Sequence, residues 1–260
     1  MGIYIGVGGW VFEEWQDNFY PKGLSQKKEL EYASSKLTAI EVNGTYYGSQ
    51  KPESFRRWHD ETPKGFKFTL KGPRFATNRR VLAEAGPSIQ KFLESGITEL
   101  KDKLGPLNWQ FMATKKFDPA DFEAFLKLLP KKHDGMALRH AVEVRHDSFS
   151  APEFVALCRK HNVAIIFAAD SEFPTIPDVT ADFVYARIMG TKEKEKLGYP
   201  KAALSAWAER AQDWAAGASP KKLKLLTNPA PAKPRDVFLF VISGAKARNP
   251  VAAQTIIGAL

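Results

Sequence analysis

Three stretches of the chain place polar or charged side chains at every second residue of an otherwise apolar run. In AIEVN (39–43), Glu41 and Asn43 alternate with Ile40 and Val42. In FKFTLK (66–71), Lys67, Thr69 and Lys71 alternate with Phe66, Phe68 and Leu70. In HAVEVR (140–145), Glu143 and Arg145 alternate with Val142 and Val144. Carboxylates that share a site with ammonium and guanidinium groups suit general acid–base work on a substrate whose negative group the cations hold. Glu41 and Glu143 are the acid/base candidates, with His146 a possible proton shuttle. Lys71, Arg74, Arg145 and Arg187 are the candidate anion clamp.

A period of two belongs to a β-strand, whose successive side chains point to opposite faces. Eight such runs are present: IYIGV (3–7), AIEVN (39–43), FKFTLK (66–71), GPLNWQF (105–111), HAVEVR (140–145), VAIIFA (163–168), DFVYARI (182–188) and DVFLFVI (236–242). Helical segments separate most of them: Gln26–Lys36, Pro52–Glu61, Pro87–Leu100, Pro119–Leu129, Ala151–His161, Lys201–Ala216 and Pro250–Leu260. Several start with proline, whose missing N–H costs little in a first turn. DSEFPTIPDVTA, between strands six and seven, reads as a loop or a short turn of helix. Strand–helix alternation gives a parallel sheet. The 260 residues match the roughly 250 that a closed (β/α)8 barrel of the TIM type requires. One α/β domain spanning residues 1–260 is therefore expected, with an open doubly wound sheet as the alternative.

Closure decides where the charges go. The outer side of a barrel strand meets the helix ring and must be apolar, so the charged parity has to face the lumen. An unpaired charge deep inside costs several kcal/mol, so these groups belong near an end. They fall late in each strand, at the carboxyl mouth where barrel enzymes keep their active sites. The mouth is expected to receive Trp10; Glu41, Asn43 and Tyr46; Lys71 and Arg74; Gln110; Glu143, Arg145 and His146; Asp170; and Arg187. Trp109 shares parity with the outward set and is a core candidate, though it is also a possible wall. An internal salt-bridge network that only fills space is the competing structural reading.

Two other chemistries compete. Glu41, Glu143, His146 and Asp170 are suitable ligands for a divalent metal, but four neighbouring cations repel a metal and pair with the same carboxylates. Neither a metal nor a cofactor is expected: GxGxxG, Walker A, HExxH, CxxC and GxSxG are all missing from the sequence. The formal net charge of +9 favours anionic partners, a small phosphate or carboxylate first and nucleic acid second. Lysine groups such as Lys192, Lys194 and Lys196, or Lys221, Lys222 and Lys224, read as solvated faces. A single cysteine, Cys158, allows no intrachain disulfide and reads as core. The opening MGIYIGVGGW reads as a strand with no leader, and no apolar run approaches the ~20 residues of a membrane span. A cytoplasmic location without membrane association is the expectation. The sequence leaves the oligomeric state open.

Together IGVGGW, NFYPKGL, EVNGTYY, LKGPR, KLGPLNWQF, FDPADFEAFLKLLP, HAVEVRHDSF and ADFVYARIMG resemble successive blocks of the DUF72 family (domain of unknown function 72, also called YecE-like). The resemblance runs nearly end to end and implies a barrel, with no agreed activity, substrate or cofactor. Its motif positions fall on Trp10, Tyr20, Glu41, Asn43, Tyr46, Lys71, Arg74, Gln110, Glu143, Arg145, His146 and Arg187. The chain departs from the pattern at three places. Phe111-Met112-Ala113 stands where the family usually has a double proline. Met189 stands where it has a histidine, and Ile242-Ser243 where it has an asparagine pair.

Overall fold

The structure, a computed structural model, describes residues 1–220 and 222–260; Lys221 of the second lysine group lies outside the described residues. Eight parallel strands close into a barrel: β1 (Ile3–Gly8), β2 (Ala39–Val42), β3 (Lys67–Lys71), β4 (Leu104–Gln110), β5 (His140–Glu143), β6 (Ala164–Ala169), β7 (Phe183–Ile188) and β8 (Asp236–Val241). Each pairs with its chain neighbours, and β1 closes the ring on β8. The register between β3 and β4 shifts between Phe68 and Leu70, so that Lys71 faces Asn108.

The helix ring follows the sequence pattern, with local differences. The expected helix at Pro87–Leu100 breaks at Gly96, whose φ is 96°, into Gly86–Leu93 and a 3-10 stretch at Ile97–Lys103. Short helices at Gly44–Tyr47 and Arg74–Thr77 cap β2 and β3. DSEFPTIPDVTA forms a loop without a helical turn. Lys132–His133 and Met136–Ala137 form a small antiparallel hairpin. Its turn residues Asp134 and Gly135 both have positive φ, which an Asp-Gly pair adopts at little cost. Among the described residues no helix is long and apolar enough to cross a membrane.

Two apolar layers hold the architecture. The outer one, between barrel and helices, holds Trp109, Phe111, Phe122, Phe125 and Phe149, along with Cys158. Phe111 is fully buried and packs edge-to-face on Phe125 and at a tilt against Phe149, so this departure from the family pattern fills the outer core, while Met112 and Ala113 are exposed. The inner layer plugs the lumen below the mouth with Phe183, Tyr185, Phe238, Phe240 and Ile166.

Trp109 belongs wholly to the outer layer. Its indole Nε1 donates to His140 Nδ1 at 3.1 Å, which leaves the His140 proton on Nε2, 2.8 Å from the Pro130 carbonyl. Burial pushes the His140 pKa down to about 4. The unfolded chain therefore binds this proton more readily, and stability should fall as pH drops from about 6.5 to about 4. The full effect is on the order of 3 kcal/mol. Urea unfolding of the protein and of His140→Gln across that window checks the slope, which the variant should lose.

Candidate functional site

Parity puts one polar layer at the carboxyl end of the lumen. Glu41 and Glu143 have no exposed surface, and Arg187, Lys71 and Gln110 are at most 8% exposed. Arg187 bridges the two acids. Its Nη2 donates to Glu41 Oε1 at 3.0 Å, and its Nη1 donates to Glu143 Oε2. The other Glu143 oxygen accepts from Arg145 Nε at 2.7 Å. The second Glu41 oxygen accepts from the Tyr185 hydroxyl at 2.5 Å and from Asn108 Nδ2 at 3.2 Å, and Thr69 Oγ1 lies 2.9 Å from the Tyr185 oxygen. Charges from β2, β5 and β7, distant in sequence, thus meet in one connected network.

The network fixes charge states. Burial pushes the Glu143 carboxyl up, but Arg187, Arg145 and Lys71 outweigh it and hold the pKa at about 2. Arg187 stays charged, because Glu143 and Glu41 overcome its own desolvation. Burial, then the charge of Glu41, raises the Tyr185 phenol, so it remains an O–H donor.

Lys71 is the exception. Its Nζ donates to Gln110 Oε1 at 2.7 Å, and no carboxylate lies within salt-bridge distance of it among the described residues. Its other contact is the face of Tyr46, 5.6 Å from the ring centre. Thr45 fixes the strand end by donating to the Lys71 carbonyl at 2.7 Å. Burial, then repulsion from Arg187, lowers the Lys71 pKa to about 8. The layer holds three cations (Lys71, Arg145, Arg187) against two carboxylates (Glu41, Glu143), a surplus of one positive charge.

Around this layer the rim is of two kinds. Asn43 lies over β1, where Gly8 makes room: a Cβ there would stand 2.9 Å from Asn43 Nδ2 and 3.1 Å from Ile242. Phe173, from the loop after β6, covers the Arg145 guanidinium at 4.3 Å. Met189 and Ile242, where the family pattern has polar groups, join the apolar lumen cluster with Phe173 against it. The β7–β8 side of the mouth is therefore apolar, and the β2–β5 side is charged.

Four expected members lie apart from the network. The Trp10 ring packs on Trp58 and Phe68, between barrel and helices, because the turn after β1 sends it sideways. Arg74 is exposed, with its guanidinium over Phe75 and Tyr47 on the outer rim. His146 accepts at Nδ1 from the Ser148 backbone N–H at 3.1 Å, a local cap, and makes no hydrogen bond to the network among the described residues. Asp170, exposed and at a φ of 54°, is not ion-paired among the described residues and lies against Tyr199. Of the four residues weighed as metal ligands, Glu41 and Glu143 meet on Arg187 while His146 and Asp170 lie apart, and no group of three or more His, Cys, Asp or Glu suited to a metal occurs among the described residues. Asn108 and Tyr185 are network members that the alternation does not name, and Thr69 is one it sets on the polar face without assigning it to the site. Each shares parity with a named residue two positions on, and that was the available signal.

Comparison with known proteins gives the same architecture. The family described as "Protein of unknown function DUF72" matches residues 4–258. A relative in Escherichia coli K12, "UPF0759 protein YecE", is 30% identical over 152 residues. That match takes in 57% of this chain and 50% of the relative, so it spans about half the length of that protein. "UPF0759 protein YunF" of Bacillus subtilis 168 is 33% identical over 69 residues, 26% of this chain and 23% of YunF. A solved DUF72 family protein from Thermotoga maritima MSB8 superposes with a TM-score of 0.71 at 21% identity, covering 99% of this chain and 97% of that one. SacUVDE shares the fold at a TM-score of 0.54 and 9% identity, covering 100% and 98%.

Proposed function

The chain belongs to the DUF72 family, whose description assigns no activity, and we propose from the chemistry of the mouth that it binds a small anionic metabolite, a carboxylate or phosphate, with Lys71 as the group that meets the anion and exchanges protons. The observation that carries this reading is the buried Lys71 ammonium, which has an amide for a partner where a carboxylate would be expected. A buried charge without a counter-charge is costly. A bound anion would remove that cost, and it would turn the surplus positive charge of the layer into affinity.

Glu41 and Glu143 take a different part from the acid/base roles their residue types invite. Each carboxylate is engaged at both oxygens, and Glu143 is held ionised. They serve as fixed anchors that hold Arg187 and Arg145 toward the mouth. Proton exchange near neutral pH falls to Lys71, whose pKa is about 8. The apolar side formed by Met189, Ile242 and Phe173 supports a ligand with a hydrocarbon body opposite its charged group. Arg145 and Asn43, both partly exposed, complete the polar rim.

The test is thermal unfolding with inorganic phosphate, sulfate and a panel of small carboxylates. Ligand that binds only the folded chain raises its midpoint in proportion to RT ln(1 + [L]/Kd). The rise should be largest below pH ~8 and shrink above it, as Lys71 loses its proton. A pH-independent rise, or none from any anion, would count against the reading.

A further inference from the structure

Outside the ring of strands, the short helices after β2 and β3 and the helix Gly86–Leu93 enclose a cleft of about 360 Å³. It touches the mouth only through Thr45, whose hydroxyl holds the Lys71 carbonyl. Its floor is Phe92 and Pro73, and Phe75 stands at its edge with 60% of its surface exposed. Two cations, Arg79 and Lys91, line it, and no carboxylate does. Arg79 is held in place, its Nε donating to the Phe75 carbonyl at 2.9 Å and its Nη2 to Ser88 Oγ at 3.1 Å; no partner takes its Nη1 among the described residues. Along the shallower continuation Arg74 stacks at 5.4 Å from the Phe75 ring and 6.0 Å from that of Tyr47, which is 66% exposed.

Large exposed rings grouped with guanidinium groups that have no carboxylate partner among the described residues mark a binding surface. We propose that this cleft is a second ligand site, which takes a free nucleoside monophosphate, its base on Phe75 and its phosphate on Arg79 and Lys91. The inference does not rest on the reading of the mouth. Each half of the ligand answers one half of the cleft. A base offers the π-face that an exposed phenylalanine and arginine stack on, and a phosphate accepts charge-assisted hydrogen bonds from arginine. Inorganic phosphate would leave the rings unused, and an uncharged aromatic would leave the cations unused. The volume suits one small ligand, which favours a single nucleotide over a strand.

Calorimetric titration with adenosine 5′-monophosphate tests the assignment, with ribose 5-phosphate, inorganic phosphate and an oligodeoxyadenylate of about 12 nucleotides as comparisons. Phe75→Ala and Lys91→Ala change exposed side chains, and unfolding midpoints confirm that both variants fold. The mononucleotide should bind, with Phe75→Ala weakening it about tenfold and Lys91→Ala several-fold. Lys71→Met should leave this binding unchanged, which separates the cleft from the mouth. Measured in the Lys71→Met background, where phosphate binding at the mouth does not enter, equal affinity for ribose 5-phosphate or inorganic phosphate would overturn the proposal, as would an unaffected Phe75→Ala or loss of mononucleotide binding in Lys71→Met. So would binding of the oligonucleotide without the mononucleotide.

Discussion

Arg187→Met is expected to cost about 3–5 kcal/mol of stability, the range found when one partner of a buried ion pair is removed. In a domain of this size that corresponds to a fall in Tm on the order of 10 °C. The reason lies in what the substitution leaves behind. Methionine fills much of the space but supplies neither charge nor donor. Glu143 keeps Arg145, so part of its field survives. Glu41 keeps only the neutral donors Tyr185 and Asn108, and its carboxylate has no exposed surface. Adding Glu41→Gln to Arg187→Met should restore part of the loss, because the double variant no longer buries that unpaired charge. Chemical denaturation of the two single variants and the double measures the coupling directly. A loss below about 1 kcal/mol for Arg187→Met would mean that the network is far more hydrated than its burial implies.

Lys71→Met should act in the opposite direction on stability and remove the response to anions. A lysine whose pKa falls from 10.5 in the unfolded chain to about 8 in the folded one binds its proton more weakly when folded. Between those values the unfolded state holds more protons, so stability rises with pH across the window. Below about 8 the penalty is present in full, roughly 3 kcal/mol. Methionine keeps an unbranched apolar stem in the buried position and discards the charge. The variant should therefore gain about 1–3 kcal/mol near pH 7 and show a flatter stability profile from pH ~8 to ~10. Its midpoint should no longer rise with phosphate. Two neighbouring cations of one polar layer are thus expected to have opposite roles: Arg187, balanced by two carboxylates, holds the fold, and Lys71, without one, costs stability. Thermal unfolding of both variants with and without phosphate distinguishes them in one experiment.

Period-two alternation carried most of this into the sequence. Strong apolar–charged alternation in β2, β3 and β5 identified strand, face and end at once, because an outward charge at the helix ring has no physical outlet. Glu41, Lys71, Gln110, Glu143, Arg145 and Arg187 follow from that single constraint. Where parity ended, so did legibility. Trp10, Arg74, His146 and Asp170 lie beyond or at the last residue of their strands, where turn geometry takes over from the pleat and sends the side chain sideways, outward, into a cap or toward Tyr199. Asn108 lies within the pattern, on the same face of β4 as Gln110, but it carries no charge to mark it as a site residue. The pairing scheme was also out of reach: the residue types promised cations and carboxylates together but not which cation would lack a carboxylate. That asymmetry decides the functional reading, and it appears only in the geometry.

The most direct measurement is an NMR titration of the Lys71 side chain in isotopically labelled protein, its signal identified by loss in Lys71→Met, with and without inorganic phosphate. A buried ammonium waiting for an anion should titrate near pH 8 without phosphate and at a distinctly higher pH with it, since the bound charge stabilises the proton. A midpoint close to 10.5 that phosphate does not move would show Lys71 already solvated or paired, and the anion site would have no basis.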